Sequence, residues 1–593
     1  MKQLLVFVFL TASAYGFSQS SINLFADTAH APFLYGVASG DPEPTEVSIW
    51  TKYEDGNLAP QESVLWEVSD DENFTNIIQS GLFVATPNED YTVNVRLTGL
   101  NSYHNYWYRF EDAAGNSSVV GRTRTAPTGG QSDHMRMAVT SCSSLFSGYF
   151  NAYDNIANRE DLDAVVHLGD YIYDFVDPDE QIRIPSIYPQ GPTNMTEWRA
   201  RQKQYLLDPD LRHMRQMHPL IVIWDNHDLD YNNPPAYGGG LQAFQEYIPH
   251  KVLDPNHPDK LWRTFGYGDV MDLIMTDAQV FQDQDIISNS DYSMWGNEQY
   301  AWIQDQLINS SATWKFVGQQ KMMGGWSIAG FPSWFPINGQ FLDDSEWDGH
   351  DVARDRFLDY ISANNIDNVV VLSGDMHVSM STDLSEDPYG SGYDGNTGAG
   401  SVAVEFLPAS ISRGNINEVL GSSFLASTIA GLSAAVNPNH VYAELEQHGY
   451  GIIDVKPDSV VAEYWYCDVL NDNPAEAFAA GTIVKDGVNH WERQYSTSAT
   501  APKVVPVNPP NDASIEVLSE DLIRVYPNPS SGLIQVYSPS KIEGIKVFNA
   551  MGKVVHEWTG NSNGVQLNVS ESGIYLILTE SGGASSSKKV MVY

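Results

Sequence analysis

The sequence predicts an α/β layered core set between an N-terminal β-sandwich of immunoglobulin-like type and a C-terminal β-sandwich module. Three observations carry this prediction. From Met135 to about residue 498, apolar runs that end in polar residues alternate with helix-like stretches, the pattern of buried strands and the helices that cover them. From Phe33 to Ala126, short alternating strands follow one another with turn residues between them and no helical period. Beyond a Pro-rich stretch, residues 521–593 return to short strands.

Taken in order, residues 1–19 ("MKQLLVFVFLTASAYGFSQ") place one Lys before an apolar run from Leu4 to Leu10 and then small and polar residues, which reads as a secretory signal peptide. No later stretch reaches the roughly 18 apolar residues of a membrane span. The β-domain of residues 31–126 holds "TEVSIWTKY", "SVLWEVSD" and "YTVNVRLTGL", and "PTGGQSDH" (127–134) is a flexible joint. In the core, 135–498, "RMAVTSCS", "LDAVVHLGD", "PLIVIWDNHD", "VMDLIMTDA", "WKFVGQQKM" and "NVVVLSGDMH" are the buried strands. "GNEQYAWIQDQLINSS" and "GHDVARDRFLDYISANN" are helices between them, and ligands are expected beyond the strands' carboxyl ends. Residues 402–495 look strand-like again. Residues 499–520 form a Pro-rich, extended linker. The last module has one histidine, His556, and no cysteine, so it is a poor place for chemistry.

A chain of 593 residues is too long for one core, and about two to four domains are expected. Its 42% apolar and 12% aromatic content is that of folded domains. The net charge of -43, from 32 basic and 75 acidic residues, repels nucleic acid and anionic membranes and argues against basic-patch binding to either. Most of it is an acid-rich solvated surface. The two cysteines, Cys142 and Cys467, permit one bridge in an exported protein. A ligand or nucleophile for Cys142 and a buried thiol for Cys467 are the alternatives.

Every notable polar cluster of the core ends an apolar run. These are Ser141–Cys142, Gly169–Asp170 with Tyr173, Asp225–Asn226–His227–Asp228, and Gly374–Asp375 with His377. Alone, "GD" or "DNH" is an ordinary turn. In this order, each after a β run, they bring carboxylate, amide, imidazole, phenol and thiol to one sheet edge. Oxygen donors suit a hard cation, whereas thiolate, phenolate and imidazole suit a Lewis-acidic transition metal. Cations would compensate the acidic tip of "VVHLGDYIYD", which is costly to bury unpaired. His167, inside that run, reads as a core residue.

"GDYIY", "DNHD" and "GDMH" resemble the binuclear metallophosphoesterase superfamily, with a GDxxY form similar to that of purple acid phosphatases. "TSCSS", "HLGDYIYD", "WDNHDLDYNN" and "LSGDMHVS" together resemble the PhoD-type alkaline phosphatases, a likeness covering about residues 31–495. "YPNPSSG", "GIYLI" and the end "KKVMVY" resemble a type IX secretion sorting domain. The resemblance implies an α+β sandwich of two sheets flanked by helices. It also implies a secreted phosphoric ester hydrolase working on small phosphate esters with Fe3+ and Ca2+, handled by the type IX machinery and left in the medium or on the outer surface. Cys142, Asp170, Tyr173 and His377 would be ferric ligands. Asp170 would bridge to one or two calcium ions, with Asn226 and Asp375 as further ligands. His227 would stabilise the transition state or protonate the leaving group, and Gln320 is expected to reach the second metal. The sequence departs from the family at Gln279, where an arginine is usual, and at His350, where "WDGH" replaces WDGY; both bear on substrate contacts. A phosphodiesterase or phospholipase-type hydrolase on the same metals, and a surface binding protein with an inactive site, are the alternative functions.

Overall fold

The structure is a computed structural model that describes residues 23–593 apart from 187, 189, 231–233, 282–293, 330–344, 505–507, 509–523, 527–529, 531, 550–552, 582–583 and 593. The expected signal segment lies outside the described residues. The chain divides into two compact units, Met1–Pro506 and Val507–Tyr593.

Two large sheets build the first unit. The nine-stranded sheet runs in the order Glu476–Lys485, Ser459–Cys467, His448–Lys456, Met135–Thr140, Ala164–His167, Pro219–Val222, Val37–Glu43, Glu46–Lys52 and Thr92–Thr98. The seven-stranded sheet runs Arg263–Tyr267, Met271–Met275, Trp314–Gly318, Val369–Leu372, Ala403–Leu407, Ser379–Leu384 and His440–Glu444. At the centre of each, neighbours pair in parallel. Parallel strands are covered on both faces, which is why "AVVH", "PLIV" and "VVVL" are buried at every position. Met137, Val165 and Ile221 of one sheet share a core with Phe316, Val370 and Phe406 of the other. On the far side of the second sheet, Ile303 and Leu307 of helix Gly296–Asn309 and Phe357 and Ile361 of helix Asp351–Ala363 pack on Ile274, Val317 and Val371. The expected two-sheet, helix-flanked core is observed.

The N-terminal β-region departs from a self-contained sandwich. One of its sheets is four-stranded, Ile77–Ala85, Glu62–Ser69, Asn105–Glu111 and Gly121–Arg124. Its other strands are the edge of the nine-stranded sheet, because Ser39 and Gly40 pair in parallel with Pro219 and Leu220. At Gly40 a Cβ would lie 2.0 Å from the carbonyl oxygen of Pro249, so only glycine lets the two segments approach. Residues 402–495 are not all strand. "SFLASTIAGLSAAV" forms helix Ser423–Val436, whose first turn is capped by Ser422 accepting from the Leu425 N–H at 3.3 Å.

The second unit is a five-stranded sheet of Arg524–Tyr526, Leu533–Asn549, Val554–Asn568, Gly573–Ser581 and Ala584–Val592, closed over Ile534, Val536, Val547, Leu567 and Ile577. Among the described residues no helix is long and apolar enough to cross a membrane.

Candidate metal centre

The polar clusters meet from two sheets rather than along one sheet edge, because three of the strands before them belong to the nine-stranded sheet and the fourth to the seven-stranded sheet. Ser141–Cys142 follows Met135–Thr140, Gly169–Asp170 follows Ala164–His167, Asp225–Asn226 follows Pro219–Val222, and Gly374–Asp375 follows Val369–Leu372. The backbone there is strained in a consistent way. Cys142, Asp170, Asp375 and His377 have φ of 57°, 52°, 62° and 57°, a left-handed conformation that costs a non-glycine residue about 1 kcal/mol or more. Hydrogen bonds between the loops offset this, with Cys142 N–H donating to Gly169 O at 3.1 Å and Ser143 N–H to Asp170 O at 2.9 Å. Gly169, at φ 109°, leaves no room for a side chain, since a Cβ would sit 2.7 Å from that of Asp225.

These turns place ligand atoms of Cys142, Asp170 and His377 within 4.8 Å of one another, and likewise those of Asp170, Asp225 and Asp375. Asp170 belongs to both groups. The Tyr173 hydroxyl lies 3.2 Å from His377 Nε2. His377 Nδ1 is 2.8 Å from the Gly414 carbonyl oxygen, which fixes the proton on Nδ1 and frees Nε2 as a ligand. Asn226 Oδ1 and Asp225 Oδ2 are buried and have no hydrogen-bond partner among the described residues. Such orphaned oxygens are expensive unless a cation satisfies them.

Electrostatics points the same way. Burial, reinforced by Asp170 and Asp375, pushes the Cys142 thiol well up, and burial with Asp170 and Cys142 does the same to the Tyr173 phenol. Burial raises Asp170 from its ordinary value and Asp225 well above it, with Asp375 adding to both. Burial and Arg413 hold His377 down at about 3, so it stays neutral. The protein alone disfavours the anionic forms of Cys142, Tyr173, Asp170 and Asp225, while Lys321 outweighs burial at Asp375 and keeps that carboxylate ionised; bound cations would favour the other four in the same way. The donor set fits two metal ions that share Asp170.

His227 stands beside this set. Its N–H donates to Asp170 Oδ1 at 3.2 Å, and its Nδ1 lies 2.6 Å from Asp174 Oδ1. The ring packs 4.3 Å from that of Tyr173. Burial works against its charge, yet Asp170 and Asp174 outweigh burial and raise its affinity for a proton.

Sequence reasoning missed several members. Asp225 appeared only as part of a cluster, yet its carboxylate joins the second donor group. Lys321 forms a close ion pair with Asp375 and sits 3.9 Å from Asp225 and 3.8 Å from Glu346. Asp228, named in the same cluster, holds the "GDYIY" turn by accepting from the Ile172 N–H at 3.0 Å. The Arg413 guanidinium lies 5.3 Å from the Tyr173 ring centre. Gln320 does not do what was expected of it. Its amide oxygen accepts from Ala278 N–H at 2.9 Å and its nitrogen donates to Trp224 O at 2.6 Å, so both ends tie loops together. Gln279 and His350 are both buried. The Cys142–Cys467 bridge is not formed. Both thiols are free, Cys467 accepting from Asn155 Nδ2 at 3.6 Å. His167 is a core residue, 3.1 Å from the Tyr153 hydroxyl.

Residues 137–464 match the PhoD-like phosphatase family. The chain belongs to that family. Residues 18–127 match the N-terminal domain of PhoD-like phosphatases, and residues 524–593 match a secretion system C-terminal sorting domain. Alkaline phosphatase D of Bacillus subtilis (strain 168) is 32% identical over 404 residues, which span 62% of this chain and 68% of that protein. A solved structure of PhoD aligns with a TM-score of 0.69 at 27% identity, over 79% of this chain and 93% of that one. This PhoD-like phosphatase is therefore a metal-dependent phosphoric ester hydrolase, and its sorting domain marks it for export to the cell surface or the medium.

Proposed function

We propose that the protein is a secreted alkaline phosphatase of the D type that hydrolyses phosphomonoesters, with phosphodiesters as a further substrate class, at an iron–calcium centre. Asp170 carries the reading, because a carboxylate common to two donor groups is what a pair of ions a few ångströms apart requires. Cys142 and Tyr173, as strongly donating thiolate and phenolate, with the imidazole of His377 and the carboxylate of Asp170, are the donors that would stabilise a ferric ion. Asp170, Asn226 and Asp375, joined by Asp225, offer oxygens suited to calcium. Such ions supply Lewis acidity toward phosphoryl oxygens and lower the pKa of a coordinated water.

The chain's own residues do the rest. Asp170, held in its left-handed turn, fixes the spacing of the two donor groups. His377 is oriented by Gly414, and Asp228 pins the turn that carries Tyr173. His227, kept in place by Asp174, holds a proton for the leaving alkoxide. Residues 1–19 act as the export signal, 31–126 and 135–498 as the β-region and catalytic region, and 521–593 as the module read by the type IX machinery. The test is Asp170→Ala, which is expected to lose both metals by elemental analysis and, with them, hydrolysis of p-nitrophenyl phosphate. Full turnover at unchanged metal content would overturn the assignment. Rates on p-nitrophenyl phosphate and on its bis ester rank the two substrate classes.

A further inference from the structure

One basic side chain, Lys321, lies among the acidic groups of the centre. Lys321 follows Gln320 at the end of the Trp314–Gly318 strand, and its side chain is buried. Among the described residues its Nζ lies within 4.0 Å of three carboxylates, pairing closely with Asp375 and lying 3.9 Å from Asp225 and 3.8 Å from Glu346. Two of these, Asp225 and Asp375, belong to the donor group that also includes Asp170. Glu346 is reached from the other side, where it accepts from the Met322 N–H. Its carboxyl group also contacts that of Asp375.

We propose that the Lys321 ammonium is a built-in cation that takes the place of one divalent ion, so that the loaded enzyme holds one ion at Cys142–Asp170–His377, one at Asp170–Asp225–Asp375, and no third. The inference rests on the phosphatase reading of this site and goes beyond it. A compact ammonium with three donors is a monovalent counterpart of a hard cation among oxygens. The charges agree with this. With Asp170 counted beside Cys142 and Tyr173 against a ferric ion, Asp225, Glu346 and Asp375 carry three further negative charges when ionised, which one divalent ion and one ammonium balance. A second divalent ion would leave excess positive charge and would have to displace Nζ from Asp375.

The experiment is an ion count on the full-length protein, stripped with chelator and reloaded with ferric iron and calcium. Elemental analysis is expected to find two ions per chain in the wild type. Lys321→Met is expected to bind one additional equivalent of calcium in a calorimetric titration, and Lys321→Arg is expected to keep the wild-type number. A wild-type chain with three ions overturns the proposal. So does Lys321→Met with an unchanged calcium count, and a weakened substrate KM alongside it would assign Lys321 to the phosphoryl group instead. If Lys321→Met fails to fold, the wild-type count decides alone. A two-ion protein that hydrolyses no phosphate ester would sink the phosphatase reading and not this one, whereas three ions in an active phosphatase would sink only this one.

Discussion

His227 is fixed at three points, by its N–H to Asp170, by Nδ1 to Asp174 and by its ring against Tyr173. The Asp174 contact leaves Nε2 as the free edge, so the imidazole can hand over a proton without leaving its place. His227→Ala is expected to reduce kcat for a poor leaving group by ~10²–10⁴-fold. Metal content should be unchanged, since the residue is in neither donor group. Elemental analysis beside kinetics checks both halves, and a loss of metal would reassign His227 to the metal cage. That Cys142, Asp170, Asp375 and His377 come together was legible because each, like Tyr173 and Asn226, follows an apolar run that ends abruptly in polar residues, and loops at such ends converge. Lys321 and Glu346 were not. "GQQKM" and "DDSEWDGH" carry no spacing signal, and in a chain with 75 acidic residues one more glutamate attracts no notice. Only the fold brings them together.

At the scale of the elements, the parallel pairing of Val37–Glu43 with Pro219–Val222 makes the N-terminal β-region part of the catalytic sheet. The strand that leads to Asp225–Asn226 is thus flanked on one side by Ala164–His167 and on the other by a strand from the first fifty residues. Gly40 is where they meet. Gly40→Ala drives a methyl group into the Pro249 carbonyl oxygen and is expected to destabilise the first unit by about 1–3 kcal/mol. The test is urea denaturation, with activity per folded molecule close to wild type; an unchanged midpoint would mean that this edge adapts. Alternation and turn spacing made the N-terminal strands legible one by one. Which sheet each joins was not, because period-two patterning shows that a strand has an inner face and not what lies beside it. Helix Ser423–Val436 escaped for a related reason. Its Ser, Ala and Gly content gives little contrast between faces, and its Phe424 is exposed.

The first compact unit runs on to Pro506. Composition placed the boundary at 498, where the Pro-rich stretch begins, yet the next residues belong to the first unit. The Thr500 N–H donates to Glu463 Oε1 at 2.5 Å, and Arg136 Nη1 donates to the Ala501 carbonyl oxygen at 3.1 Å. Lys503 Nζ lies 2.6 Å from Asp163 Oδ1, a buried carboxylate that otherwise has Arg124 as its cation at 3.1 Å. A proline-rich composition predicts an extended chain but says nothing of whether that chain is solvated or lies against a neighbour. Two truncations separate the cases. A chain ending at Pro506 keeps every residue of the metal centre together with the Lys503 pair. It is expected to retain metal content and turnover while losing delivery to the cell surface, which the sorting domain directs. A chain ending at Ser498 removes one cation from Asp163 and the strap across Arg136, and breaking a buried ion pair of this kind costs about 3–5 kcal/mol. It is expected to melt several degrees below the longer chain, with the same activity at low temperature. Equal melting temperatures for the two would return 499–504 to the linker.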